Sequence, residues 1–196
     1  MNWKRNLPRC WTAFVAAALL IAGGPTAARA DGEFLQFDYA PGQSSATASM
    51  QRGRMTVALG WSEYDTGHAT SLWLNRGYQV DGPVWFRVGP SLRVDESGDA
   101  RWGLRGALER FTMSETRTLF LLVDVNTIQR EFQVLGQIGH IPSGWAGEMA
   151  FQGNDSGYRE VSVAVSYRLG DGPFRLRAGY RIEAAQPFIG LSLNTF

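Results

Sequence analysis

The chain of 196 residues contains one cysteine, Cys10, and one lysine, Lys4, and both lie near its beginning. The rest of the sequence therefore has no residue that could form a disulfide, act as a thiolate nucleophile or bind a metal through a cysteine thiolate. After the first 30 residues it also lacks any long apolar run and any sustained helical period of apolar residues. These absences exclude a disulfide-stapled module and a protein that crosses a membrane with several helices.

The first 30 residues have the layout of a secretory signal peptide. A basic opening precedes an apolar run over 11–22, and Ala28-Arg29-Ala30 forms an A-x-A cleavage site. The sequence predicts cleavage before Asp31. A retained anchor helix is the alternative, but the apolar run is only about half of the ~20 residues that a membrane-spanning helix needs.

Removal of residues 1–30 changes the charge balance of the chain. The remaining sequence has 15 arginines and 18 acidic residues, a net charge of −3. No strongly basic surface is expected, so we predict no nucleic-acid partner.

Short segments of alternating apolar and polar residues, separated by Gly, Asp, Asn and Ser, fill the rest of the chain. This spacing predicts an all-β domain over 49–196, preceded by an N-terminal segment, 31–48, in which 34–39 is a candidate additional strand. We predict ten strands, with twelve as the alternative: 49–61, 68–79, 83–94, 100–111, 117–126, 131–140, 145–152, 158–169, 173–183 and 187–196.

The segment Val161–Leu169 shows the alternation best. Large apolar residues occupy every odd position, and small or polar residues or Arg168 occupy the even ones. A strand with this period of two has one apolar and one polar face. The apolar face would point inward in a soluble sandwich and outward, towards lipid, in a membrane barrel.

Two properties of the segments favour the barrel. Most are about 9–13 residues long, close to the ~9–11 that cross a bilayer in a tilted strand. Aromatic residues also fall near segment ends, as expected for rings at a membrane interface: Trp61, Tyr78, Phe111, Trp145, Phe151, Tyr158 and Phe174.

Together, the signal peptide, the absence of later cysteines, the alternating strands and the final Phe196 resemble bacterial outer-membrane β-barrel proteins. The resemblance is architectural and points to no specific family. It implies a closed antiparallel up-and-down transmembrane β-barrel in the outer membrane. Outer-membrane lipid and lipopolysaccharide would surround it, and the barrel-assembly machinery would be a partner during biogenesis.

The polar faces of the strands are the candidate site. Strand parity places ten arginines but only five acids opposite the apolar faces, and such an excess would attract anions to a hydrated interior. Arg52 and Arg54 belong to this set, and the remaining members are our candidates for lining the lumen: Arg87, Arg93, Arg101, Arg105, Arg168, Arg175, Arg177, Arg181, Glu109, Asp124, Glu148, Glu160 and Glu183.

No motif in the sequence indicates catalysis. His68 and His140 lack the His-x-Ser context of lipid A-modifying enzymes of the deacylase type, and they lack further ligands for a metal. We therefore predict no catalytic residue, no metal and no cofactor. Three functions remain: a narrow pore or binding site for small anionic solutes, an interaction barrel with a plugged lumen, and a soluble secreted β-sandwich that binds a ligand.

Overall fold

The alternating segments become the strands of a single sheet in the computed structural model, which describes residues 31–64 and 67–196. The predicted signal peptide, 1–30, lies outside the described residues. The strands are β1 (Gly32–Tyr39), β2 (Gln43–Arg52), β3 (Met55–Tyr64), β4 (Gly67–Asp81), β5 (Val84–Asp95), β6 (Ala100–Met113), β7 (Arg117–Asn126), β8 (Glu131–His140), β9 (Trp145–Gly153), β10 (Arg159–Arg168), β11 (Phe174–Arg181) and β12 (Gln186–Asn194).

Each strand pairs antiparallel with its neighbours in sequence, and β1 pairs with β12 to close the barrel. In this closing pair, Phe34 lies opposite Asn194 and Tyr39 lies opposite Ile189. The predicted closed up-and-down barrel is confirmed. Closure leaves no strand with an unpaired edge, so the backbone hydrogen bonds of the whole sheet are made within it.

The predicted number of ten strands is wrong, and the alternative of twelve is correct. The segment 34–39 is indeed a strand, within β1, but the predicted strand 49–61 joins the end of β2 to most of β3 across a turn at Gly53 and Arg54. The β2 sequence was hard to recognise because it has small residues where other strands carry large apolar ones. Ala46, for example, lies between Phe37 and Trp61, which cover it.

The apolar faces of the strands point outward. Val165 of β10 lies opposite Ala178 of β11, which in turn lies opposite Ile189 of β12. Val165 is 53% exposed and Ile189 is 65% exposed, although both are large and apolar. A soluble sandwich would bury such residues between its sheets, so this distribution is that of a barrel whose outer surface faces an apolar medium.

Aromatic rings on the outer face collect near the two ends of the barrel. We call the end that holds the start of β1 and the end of β12 the terminal rim, and the other end the opposite rim. At the terminal rim Trp145 packs against Tyr167, with ring centroids 5.0 Å apart. At the opposite rim Phe132 packs against Phe151, with centroids 5.2 Å apart.

One aromatic residue predicted for these rims points the other way. Phe111 shares a face of β6 with Glu109, because both are an even number of residues from the inward-facing Arg105, so its ring lies inside. The outward aromatics from the predicted set are Trp61, Tyr78, Trp145, Phe151 and Phe174. Tyr158 lies in the connection between β9 and β10, where its hydroxyl accepts a hydrogen bond from Gln152 on the inner face.

The connections between strands are short at both rims. None that joins two of the described strands exceeds five residues. The Asp81-Gly82 and Asp171-Gly172 turns both lie at the terminal rim, and Gly82 has the positive φ, 48°, that such tight turns favour. In the described parts of the chain, no helix is long and apolar enough to span a membrane.

Candidate functional site in the barrel interior

Cross-strand pairing shows which side chains enter the barrel, since directly opposed residues of an antiparallel pair share a face. All eight lumen-candidate arginines lie on the inner face: Arg87, Arg93, Arg101, Arg105, Arg168, Arg175, Arg177 and Arg181. Four of the five candidate acids do the same: Glu109, Asp124, Glu148 and Glu160.

The other predicted positions are not on the inner wall. Glu183 lies in the turn between β11 and β12, where its carboxylate accepts a hydrogen bond from the Val161 N–H. Arg52 lies on the outer face near the terminal rim and forms an ion pair of 2.8 Å with Glu33, and Arg54 lies in the turn between β2 and β3.

Three inward acids escaped the sequence interpretation: Asp38, Asp95 and Glu131. Asp38 lies on β1, to which no inner face had been assigned, and the other two occupy strand ends that were treated as turns or left out of the count. With them, the strands carry eight inward arginines against seven inward acids. The cationic excess of the interior is therefore much smaller than the sequence parity predicted.

We call the inner face of β5–β8 the paired wall, because every arginine on it has a carboxylate partner. Arg87 Nε donates to Glu109 Oε2 at 2.7 Å, and its other nitrogens donate to Thr56 and Gln51. Arg93 pairs with Glu131, and Arg101 lies 3.8 Å from Asp95. The ion pairs link strands within this wall, and that of Arg93 reaches from β5 to β8, so the charge is neutralised locally.

Arg105 shows how closely the paired wall is filled. Its Nε donates to Asp124 Oδ2 at 2.6 Å, while its guanidinium carbon lies 4.3 Å from the centre of the Trp73 ring. Trp73 points inward between two outward leucines, Leu72 and Leu74, so the alternation in the sequence already indicates that its ring lies inside the barrel. The ring and the carboxylate together hold the guanidinium against the wall.

We call the inner face of β9–β12 the open wall. Arg177, on β11, is the exception there, since it binds two carboxylates: its Nε lies 3.1 Å from Asp38 Oδ1 and its Nη2 lies 3.0 Å from Glu148 Oε1. It is only 6% exposed. Gly190 makes this arrangement possible, because a side chain there would occupy the space of the Asp38 carboxylate.

The other three arginines of the open wall have no ion pair with any residue that the structure describes. Arg168 and Arg175 lie directly opposite each other near the terminal rim. Arg175 donates to the Ser166 hydroxyl at 3.1 Å and to the Gly144 carbonyl at 2.8 Å, and Arg168 donates to the Ile141 carbonyl at 3.3 Å. Arg181, nearer the opposite rim, donates to the Gln43 carbonyl at 2.9 Å. These neutral acceptors position the guanidinium groups and leave their charge uncompensated.

Neither histidine lies on the inner face. His68 is on the outer face of β4, opposite Glu63. The Nδ1 of His140 lies 2.8 Å from Ser143 Oγ in the turn after β8. Within residues 31–64 and 67–196, no group of three or more His, Cys, Asp or Glu side chains is arranged to hold a metal ion.

A closed antiparallel barrel with an apolar outer face and a charged interior has the fold of the transmembrane barrel proteins. Among solved structures, the chain is similar to the KdgM porin, with 11% sequence identity, a TM-score of 0.56 and coverage of 83% of this chain and 98% of the other. A complex of KdgM porin with disordered oligogalacturonate matches at 13% identity and a TM-score of 0.53, with the same coverage. The NanC porin matches at 11% identity and a TM-score of 0.52, over 82% of this chain and 98% of the other.

No protein-family model and no curated protein matches the sequence. At these low identities, the likeness to KdgM and NanC is one of fold.

Proposed function

We propose that this protein is a small outer-membrane pore that admits small anionic solutes through its barrel interior. The observation that carries the proposal is the Arg168–Arg175 pair, two opposed guanidinium groups near the terminal rim without a carboxylate partner. Guanidinium groups bind carboxylates and phosphates through charge-assisted hydrogen bonds. An anion entering at this rim would supply the negative charge that the protein itself supplies on the paired wall.

The outer surface supports the location in the outer membrane. Apolar side chains cover it between two rims of aromatic residues, which is the arrangement that lipid tails and headgroups favour. Outer-membrane lipid and lipopolysaccharide are then its surroundings, and the barrel-assembly machinery its partner during insertion. We further propose that the pore has no catalytic activity.

Two features support a pore over an interaction barrel with a plugged lumen. The connections between the described strands are too short to fold into the interior as a plug. One matched KdgM structure is a complex with oligogalacturonate, whose carboxylates are groups that arginine binds. The sugar acid is a property of that protein, and for this chain we propose only the class of small anions.

Ion selectivity in a planar bilayer tests the pore. We expect the refolded protein to conduct with a preference for chloride over potassium, and Arg168→Gln with Arg175→Gln to reduce that preference. The matched control is Arg87→Gln with Glu109→Gln, which removes an ion pair from the paired wall without changing the net charge. A folded protein that forms no channel contradicts the proposal, as does equal selectivity in the two double variants.

Insertion into lipid is tested separately on β10. Val165→Arg places a charge on the outer face, whereas Ser162→Arg places it inside. We expect the outward charge to cost about 2–4 kcal/mol of folding free energy in lipid vesicles, and the inward one much less. Equal effects of both variants, or a wild-type protein that stays in buffer without detergent, would instead support the soluble β-sandwich.

A further inference from the structure

The interior contains an apolar strip that the paired charges do not explain. Phe111, Phe120, Leu122 and Leu135 lie on the inner face of β6, β7 and β8. Phe111 is directly opposite Phe120, and Leu122 is directly opposite Leu135. On each strand they lie an even number of residues from an inward-facing polar residue, Glu109, Asp124 or Gln133. All four side chains therefore point into the barrel.

These side chains remain accessible inside the barrel. Phe111 is 51% exposed, and the other three are half-buried. Apolar surface left in contact with water costs about 25 cal/mol for each Å² that a ligand would cover. A strip of this kind, accessible beside the paired charges, offers a binding surface for an apolar group.

The strip and the Arg168–Arg175 pair share one side of the interior. Both lie in the half of the barrel nearer the terminal rim, since Phe120 is close to the start of β7 and Arg168 ends β10. Between β7 and β10 lie only β8 and β9, so the strip and the arginines are about 10–15 Å apart at the usual strand spacing.

The strands between the strip and the arginine pair carry small residues on the inner face. Gly139 of β8 and Ala146 of β9 are directly opposite each other, and Ala146 is opposite Ser166 of β10. All three positions are buried, because the Thr118 side chain covers Gly139 and the Arg175 guanidinium binds Ser166, so a molecule on this side would lie over these side chains. Its two ends would reach the apolar strip and the arginine pair.

We propose that this half of the interior selects carboxylates that carry an apolar, ring-sized group over equally charged polar acids. The carboxylate binds Arg168 and Arg175, and the apolar group covers Phe120, Leu122 and Leu135. This inference rests on the proposed pore function and names the solute class for it. The hydrogen bonds with the arginines position the carboxylate of the solute, and release of water from the apolar strip stabilises the binding of its apolar group.

Channel block distinguishes the two kinds of acid. The probes are 4-phenylbutyrate, which has both groups, glucuronate, which has the charge alone, and 4-phenylbutanol, which has the apolar group alone. We expect 4-phenylbutyrate to block chloride current with an affinity about tenfold above glucuronate, a difference of about 1.4 kcal/mol, and 4-phenylbutanol to block weakly.

Variants of the strip locate the effect. Phe120→Gln, Leu122→Gln and Leu135→Gln together should abolish the preference for 4-phenylbutyrate while the chloride current persists. Leu122→Gln alone, a milder change, should lower the preference about threefold. Ser49→Gln on β2 is the matched control, since it adds an inward amide away from the strip and should leave the preference unchanged.

The outcomes separate this inference from the pore itself. An anion-selective channel that binds 4-phenylbutyrate and glucuronate equally would overturn the inference and leave the pore proposal intact. A preference that survives the Gln substitutions would also overturn it, because the apolar strip would then not be the binding surface. If the folded protein forms no channel, the proposed function and this inference both fail.

Discussion

The two inner walls both carry arginines, but they differ in whether a carboxylate balances the positive charge. On the paired wall, Arg87, Arg93, Arg101 and Arg105 each have a carboxylate on another strand of that wall. On the open wall, Arg168, Arg175 and Arg181 bind only neutral groups or stack on an aromatic ring, as Arg181 does 5.4 Å from Phe188. The arginines of the paired wall therefore link strands through ion pairs, whereas Arg168, Arg175 and Arg181 keep an unbalanced positive charge.

Arg177 shows that an arginine on the open wall can still have carboxylate partners. It lies between Arg175 and Arg181 on β11, yet it has two carboxylate partners and is almost fully buried. The difference arises from β9 and β1, two strands away on either side, which supply Glu148 and Asp38 at the height of Arg177, whereas no acid forms an ion pair with Arg168 or Arg175. The number of inward arginines thus overstates the charge available to a solute.

The largest expected effect comes from Arg177. Arg177→Met would leave Asp38 and Glu148 buried without their cation, and breaking a buried ion pair in this way costs about 3–5 kcal/mol. Urea unfolding of the protein in lipid vesicles, followed by tryptophan fluorescence, measures the loss.

Arg175→Met is the control for that experiment. Its hydrogen-bond acceptors, the Ser166 hydroxyl and the Gly144 carbonyl, are neutral, so we expect a loss of only about 1 kcal/mol. A similar loss in both variants would mean that the two walls do not differ in the way described.

A smaller effect is expected on the paired wall at Arg105. Arg105→Met removes the partner of Asp124, and the loss of hydrogen bonds to a charged group costs about 1.5–3 kcal/mol. It should also shift ion selectivity towards cations, because the variant lacks one positive charge on the inner wall.

Adding Asp124→Asn sharpens that test. The double variant has lost one positive and one negative group, so its selectivity should return close to that of the wild type. Selectivity that stays shifted in the double variant would show that Arg105 acts on the solute directly.

The smallest effect is expected at the edge of the open wall, in the turn between β11 and β12. The Val161 N–H, which donates to Glu183 Oε2 at 2.5 Å, holds the pKa of Glu183 below its usual range, and Glu160 contributes to the same shift. A depressed folded-state pKa stabilises the turn above the unfolded pKa of about 4.3, and this contribution disappears as the pH falls through the folded pKa.

Hydrogen exchange at the Val161 amide measures this contribution. After correction for intrinsic exchange rates, protection should fall on acidification below about pH 4 and should be independent of pH in Glu183→Gln. A wild-type protein whose protection is constant over that range would contradict the assignment of the Glu183 contact.

Much of this fold is predictable from the alternation alone. The period of two placed all eight candidate arginines inside, and it placed Val163 and Val165 outside, because each face of a transmembrane strand meets one medium. It failed at β2, where alanine and serine give no contrast between faces. The covering residues Phe37 and Trp61 belong to other strands, so local sequence could not reveal them.

The charge state of the site was not predictable in the same way. Arg177 and Asp38 are 139 residues apart in sequence, and their meeting depends on the closure of the barrel and on the stagger between strands. Parity assigns a face to a residue but no height along the barrel. The apolar strip was missed because Phe111 was assigned to the membrane rim and Leu122 and Leu135 were not compared across β7 and β8.

The pairing of β1 with β12 also has a kinetic consequence. Each of the eleven strands after β1 can form a hairpin with the strand before it, but the first and last strands must find each other across the whole chain. Contacts so distant in sequence carry a high loop-closure entropy and form slowly. We expect the joining of β1 to β12 to be the slow step of folding, and the Arg177–Asp38 bond, which spans that junction, to act chiefly by slowing the reopening of the finished barrel.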